Sequence, residues 1–142
     1  MESRQRLGRT EEAEAQVKLG RGTIVAVELD PTVGHEQRGL RPCVVVSDPE
    51  IIRDQRFPLI CIVPVTGTPG HGLLYPPLSP GRSGLAKPSF ALIDHLRSVD
   101  KRRIVRVFSQ LPDDEIEAVN VGLTIFLGLG EGPDAPGSSK IQ

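Results

Sequence analysis

The sequence predicts a mainly β chain: a small, strongly bent antiparallel barrel with one C-terminal helix. Five or six short β-branched, apolar runs alternate with Gly/Pro-rich connections. One later segment, beginning at Pro112, carries apolar residues at helical spacing. The chain of 142 residues suits a single hydrophobic core.

Taken in order, residues 1–18 mix Glu, Arg and Gln without a sustained apolar face and are expected to be a flexible N-terminal arm. TIVAVEL (residues 23–29) reads as a first strand, broken by Asp30-Pro31 and Gly34, with a loop of about ten residues after it. PCVVVS (residues 42–47) and LICIVPV (residues 59–65) are continuous apolar runs of the kind buried on both faces. Asp48-Pro49 is expected to stop the first, and Pro64 falls near the end of the second, where a missing ladder donor is tolerated. Residues 73–78 suggest a short edge strand interrupted by Pro76-Pro77, and residues 89–93 and 104–108 complete the strands. The helix follows from Pro112 in a first turn, Asp113, Asp114 and Glu115 at its positive end, and a stripe of Ile116, Val119, Leu123 and Phe126. The Gly/Pro/Ser-rich residues 130–142 are expected to be a disordered tail, which leaves 19–129 as one domain.

Composition excludes several classes. An apolar fraction of 38% with 25% charged residues is that of a globular protein rather than a disordered one. No run approaches the roughly 20 apolar residues of a membrane span, and the polar opening lacks the apolar centre of a secretory signal, so a cytoplasmic chain with no membrane partner is expected. Cys43 and Cys61 sit inside apolar runs as small hydrophobes. With His35, His71 and His95 scattered, no metal-ligand spacing exists, and neither metal nor cofactor is expected. Net charge is only -1, but it is unevenly spread. Residues 48–110 hold nine Lys/Arg against five Asp/Glu, whereas 111–142 hold one Lys against six acids. The basic middle is a candidate surface for phosphates, although a solvated charged face gives the same count.

Within GTIVAVELDPTVGHEQRGLRPCVVVS (residues 22–47), the pieces VELDPT, GHEQ and RPCVVVS resemble the opening signature of the MazF/PemK toxins. VPVTG (residues 63–67) and GLAKPSFALIDHLRSVDKRRI (residues 84–104) agree with that family in order and spacing, as does the helix ending in LGL. The resemblance covers roughly residues 20–129. It implies an SH3-like barrel of the MazF/CcdB type, a homodimer, a cognate antitoxin protein as partner, and a metal-independent, sequence-specific endoribonuclease. Such an enzyme cuts single-stranded RNA to 2′,3′-cyclic phosphate and 5′-hydroxyl ends. By position it implies Arg41 and Thr66 as the catalytic pair, with Glu36 as an acidic residue of the active-site loop. RNA contacts fall to Gly34, His35 and Gln37 of GHEQ and to Asp94, His95 and Arg97 of IDHLR. His95 departs from the Gln common at this position, which bears on base preference.

The chemistry explains why such residues are needed. Attack by the 2′-hydroxyl of the RNA requires in-line positioning, charge stabilisation at phosphorus and two proton transfers. Arg41 offers a planar fork for phosphate oxygens at the start of a rigid strand, and Thr66 offers a hydroxyl donor. A guanidinium that holds its proton above roughly pH 12 is a poor base, so Glu36, or His35, is expected to take the 2′ proton. Taken alone, without the resemblance, Arg41 and Thr66 read rather as a surface or ion-pairing arginine and a turn threonine. The alternative from another class is a non-catalytic binding module on the same barrel, like the CcdB toxins that act on DNA gyrase, because fold alone does not fix function.

Overall fold

The computed structural model describes residues 18–29 and 39–130. Seven strands, β1 (Thr23–Leu29), β2 (Gly39–Val45), β3 (Leu59–Thr66), β4 (Pro77–Leu78), β5 (Ser89–Ala91), β6 (Arg97–Asp100) and β7 (Ile104–Gln110), form one antiparallel, curled sheet. Its order is β4-β5-β3-β2-β1-β7, with β6 also paired to β3. A short helix α1 (Pro49–Arg53) joins β2 to β3, and α2 (Asp113–Leu127) closes the fold. This is the mainly β, SH3-like half-barrel with a C-terminal helix that the sequence predicted. The curl has a local cause: the β1–β7 register shifts twice, between Ile24 and Val25 and between Ala26 and Val27. Each extra residue bends and twists its strand.

β1, β2 and β3 are apolar on both sides because each side faces its own core. Ile24, Val44, Val63 and Val65 point to one cluster, which also holds Leu111, Val119 and Leu123. Val25, Val27, Cys43, Val45, Ile60 and Ile62 point to the other, closed by Ile52 and Val99. Each large aliphatic side chain fully removed from water contributes roughly 1.5–3 kcal/mol, so two cores on one three-stranded ladder hold its register firmly.

Several expectations are corrected. Asp48-Pro49 does not merely stop β2. It starts α1, with the Asp48 carboxylate accepting the Glu50 N–H at 2.8 Å and Pro49 occupying the first turn. Of residues 73–78 only Pro77–Leu78 form a strand, and Pro76 just before it has no N–H to extend the ladder. The strand expected over 89–93 ends at Ala91 and gives way to a 3-10 turn, Ile93–His95. β6 was not foreseen. In α2 the buried stripe is Glu115, Val119, Gly122 and Leu123, while Phe126 is exposed.

Gly122 has a packing reason. A β-carbon there would lie 2.8 Å from the Leu73 carbonyl oxygen and 2.9 Å from Ile93 Cγ1. The bare backbone therefore lets α2 press on the 3-10 turn. Helix α2 ends at Gly128, whose left-handed backbone (φ 69°) lets the N–H groups of Gly128 and Leu129 cap Ile125 and Thr124 carbonyls. Among the described residues no helix is long and apolar enough to cross a membrane. The N-terminal arm and C-terminal tail expected from the sequence lie outside the described residues, apart from Lys18 and Gly130.

Candidate functional site

The β2–β3 ladder pairs Val45 with Ile62, Val44 with Val63 and Cys43 with Pro64. That ladder ends at Cys43 and Pro64; Arg41 lies two residues before Cys43 in β2 and Thr66 two residues after Pro64 in β3, so both stand just past the same end of it. Side chains alternate along a strand, so both project from the face that carries Cys43 and Pro64. Paired strands lie about 4.8 Å apart at the ladder, so a long guanidinium side chain and a hydroxyl just beyond its end can reach one anion. Both residues are half-buried.

Thr66 ends β3, and its Oγ1 accepts the Thr68 N–H at 3.1 Å. That bond uses a lone pair and leaves the hydroxyl proton to be donated. Across β3 from β2, Ile62 pairs with Arg97. Arg97 therefore shares the face of Val45, Cys43 and Arg41. The charges of Arg41 and Arg97 both bear on the Cys43 thiol. Burial dominates there, pushing Cys43 up to about 12 while Arg41, then Arg97, pull it down. Cys43 thus stays a neutral thiol at physiological pH and packs as the hydrophobe expected.

Asp94 and His95 stand on the 3-10 turn inserted between β5 and β6. The turn is pinned by the Leu92 N–H on the Pro64 carbonyl (2.8 Å) and the Ile93 N–H on the Leu74 carbonyl (3.1 Å). The Tyr75 hydroxyl donates to Asp94 Oδ2 at 2.7 Å, and His95 Nε2 lies 3.8 Å from Asp94 Oδ1. The hydrogen bond to Asp94 raises the Tyr75 pKa, with desolvation and the Asp94 charge acting in the same sense. The Asp94 carboxylate thereby ties the Tyr75 phenol to the exposed turn that also carries His95.

The structure thus brings Arg41, Thr66 and Arg97 to one face and places Asp94 and His95 on the turn that leads into Arg97. Gly34, His35, Glu36 and Gln37 lie outside the described residues. Sequence reasoning missed Tyr75, because no spacing links it to Asp94. It also missed the placement of Phe90, which pairs with Thr66 from the next strand. Among the described residues no group of three or more His, Cys, Asp and Glu is arranged to hold a metal ion.

Comparison with known proteins bears on the family and the fold. Residues 20–127 match the family model of the PemK-like, MazF-like toxin of type II toxin-antitoxin systems. The chain is similar to MazF from Deinococcus radiodurans, with 28% identity, 78% of this chain and 96% of that chain covered, and a TM-score of 0.64. It is likewise similar to a MazE-MazF structure from the same organism, with 28% identity, 79% and 97% covered, and a TM-score of 0.64. A mycobacterial endoribonuclease in complex with its cognate antitoxin shares the fold at 18% identity, with 81% and 100% covered and a TM-score of 0.66.

Proposed function

Because this chain belongs to the PemK-like, MazF-like toxin family of type II toxin-antitoxin systems, we propose that it is a metal-independent endoribonuclease cutting single-stranded RNA at specific sequences. The observation that carries this reading is the placement of Arg41 and Thr66 just past the Cys43–Pro64 end of the β2–β3 ladder, each two residues beyond it and so on the same face. In the reaction the 2′-oxygen attacks phosphorus, the bond from phosphorus to the 5′-oxygen breaks, and a 2′,3′-cyclic phosphate and a 5′-hydroxyl result. Arg41 neutralises the phosphorane oxygens and protonates the departing 5′-oxygen, and the Thr66 hydroxyl donates to a phosphorane oxygen. Glu36 takes the 2′-hydroxyl proton. Asp94, His95 and Arg97, with Gly34, His35 and Gln37, contact the bases and backbone of the substrate, whose unstacked bases expose their edges.

The active form is a cytoplasmic homodimer, held inactive by a cognate antitoxin chain that covers the RNA surface. Support for the partner comes from the MazE-MazF relative of D. radiodurans. The test is incubation of the purified protein with a long single-stranded RNA in EDTA. Discrete cuts bearing 5′-hydroxyl and 2′,3′-cyclic phosphate ends are expected. RNA left intact would overturn the reading in favour of a non-catalytic module.

A further inference from the structure

We propose that Lys87 and Phe90 form a subsite for the nucleotide flanking the scissile phosphate, the ammonium holding its phosphate and the ring its base. The proposal rests on the reading of the chain as a ribonuclease. Its first observation is the position of Lys87. A β-carbon at Gly67 would meet Lys87 Cε at 3.2 Å and Nζ at 3.6 Å. The ammonium therefore lies over the residue that follows Thr66.

The second observation is that, among the described residues, this cation has no carboxylate of its own. Arg53, Arg56, Arg82 and Arg102 are each paired to one, and the Lys101 ammonium is spent on the Ile51 and Asp54 carbonyls at the end of α1. Lys87 makes no ion pair or side-chain hydrogen bond among the described residues, and it is exposed. An unneutralised charge beside a hydroxyl donor is suited to a phosphate.

The third observation is the orientation of Phe90. In β5, Ala91 pairs with Val65 and faces the core under α2, so Phe90, paired with Thr66, faces the other way. It is half-buried, and its partner on the next strand is the exposed Pro77. A phenyl ring partly open to solvent, one strand from Thr66, is a face on which any base can stack. The segment that presents both residues is tied down. The Ser79 N–H donates to Glu115 Oε2 at 2.9 Å, Arg82 pairs with Asp114 at 2.8 Å, and the Ser89 hydroxyl donates to the Lys87 carbonyl at 3.0 Å.

The subsite acts on binding rather than on the chemical step. Stabilising a transition state requires donors fixed in advance, whereas the Lys87 ammonium ends a flexible stem that no partner among the described residues holds. Replacing Lys87 thus raises KM and leaves kcat in place. For a single strand, each phosphate contact contributes about -0.7 to the logarithmic salt dependence of affinity.

The test uses the full chain and a single-stranded RNA that contains the cleavage sequence, with a 2′-O-methyl group blocking the cut. Lys87→Ala is expected to reduce the steepness of the salt dependence by about 0.7 and to weaken binding about tenfold at low salt. Lys87→Arg should restore both, and on the same RNA without the 2′-O-methyl block the single-turnover cleavage rate of Lys87→Ala at saturating RNA should stay within about twofold of wild type. Phe90→Leu, which keeps apolar volume for packing, should weaken binding about tenfold. Removing the flanking base should weaken wild-type binding by a similar factor and leave the Phe90→Leu protein unaffected. An unchanged salt dependence in Lys87→Ala, or the same cost of base removal in both proteins, overturns the subsite while wild-type cleavage keeps the nuclease reading. Wild-type protein that neither binds nor cuts RNA overturns both.

Discussion

The two faces of the β2–β3 pair come from the same strands and serve different ends. On one, Val44, Val63 and Val65 join a core roofed by Val119 and Leu123 of α2. On the other, Cys43, Val45, Ile60 and Ile62 fill a core that reaches the Cys43 end of the ladder, and the strands run on past it to Arg41 and Thr66. The closed face fixes the backbone. The face that outruns its core exposes functional groups on that fixed backbone, which is how a small fold holds a side chain firmly yet open to a substrate. Damage to the two faces should therefore separate, one reducing chemistry and the other stability.

The largest effect is expected from Arg41→Ala, which should lower the single-turnover rate of RNA cleavage about 10³-fold while the denaturation midpoint stays near wild type. Arg41→Lys should recover little, because an ammonium lacks the planar fork. Next, Thr66→Val should cost about 100-fold in the same rate, with Thr66→Ser restoring most of it because the hydroxyl returns. A Thr66→Val enzyme as fast as wild type would leave the pair with a single working group.

Gly122→Ala tests the closed face. The new methyl would press on the Leu73 carbonyl and the Ile93 side chain. Overpacking of this kind costs about 1–3 kcal/mol, partly offset by up to ~1 kcal/mol from alanine's better helix propensity. Urea denaturation should show a net loss of about 1 kcal/mol. Cleavage by the folded fraction should fall far less than in Arg41→Ala. Equal stability with slower cleavage would mean that the closed face reaches the chemistry directly.

How much of this was legible in the sequence follows from what each feature depends on. The β1, β2 and β3 runs announced themselves because burial on both sides demands unbroken apolar residues, and α2 did so through its acidic start and glycine end. β6 did not. RSVD is four residues long with a charge at each end, and only its pairing with Leu59–Ile62 makes it a strand. The helix α1 was hidden because Asp-Pro signals a chain break and a helix start with the same two residues. Arg41 and Thr66 were reachable through motif resemblance. Phe90 beside Thr66, Lys87 over Gly67 and Tyr75 on Asp94 were not, since each is a contact between segments whose register only the folded sheet sets.

The smallest effect is expected at neutral pH and grows only in alkali. Cys43 lies in the core that leads to Arg41, and burial raises its thiol from an ordinary value of 9.0 to about 12. The unfolded chain gives up this proton near pH 9 and the folded chain does not. The stability tied to the neutral thiol is therefore intact below that pH and is lost as the pH rises toward 12. Between those limits one such group contributes a slope of about 1.4 kcal/mol per pH unit. Cys43→Val, close in volume and apolar, should match wild type at pH 7 to within about 1.5 kcal/mol and lose less stability above pH 9. Urea midpoints measured from pH 7 to 11 should diverge in that direction. Parallel curves would mean that water reaches the thiol in the folded protein, and the core beneath Arg41 would then be too loose to hold the guanidinium against Thr66.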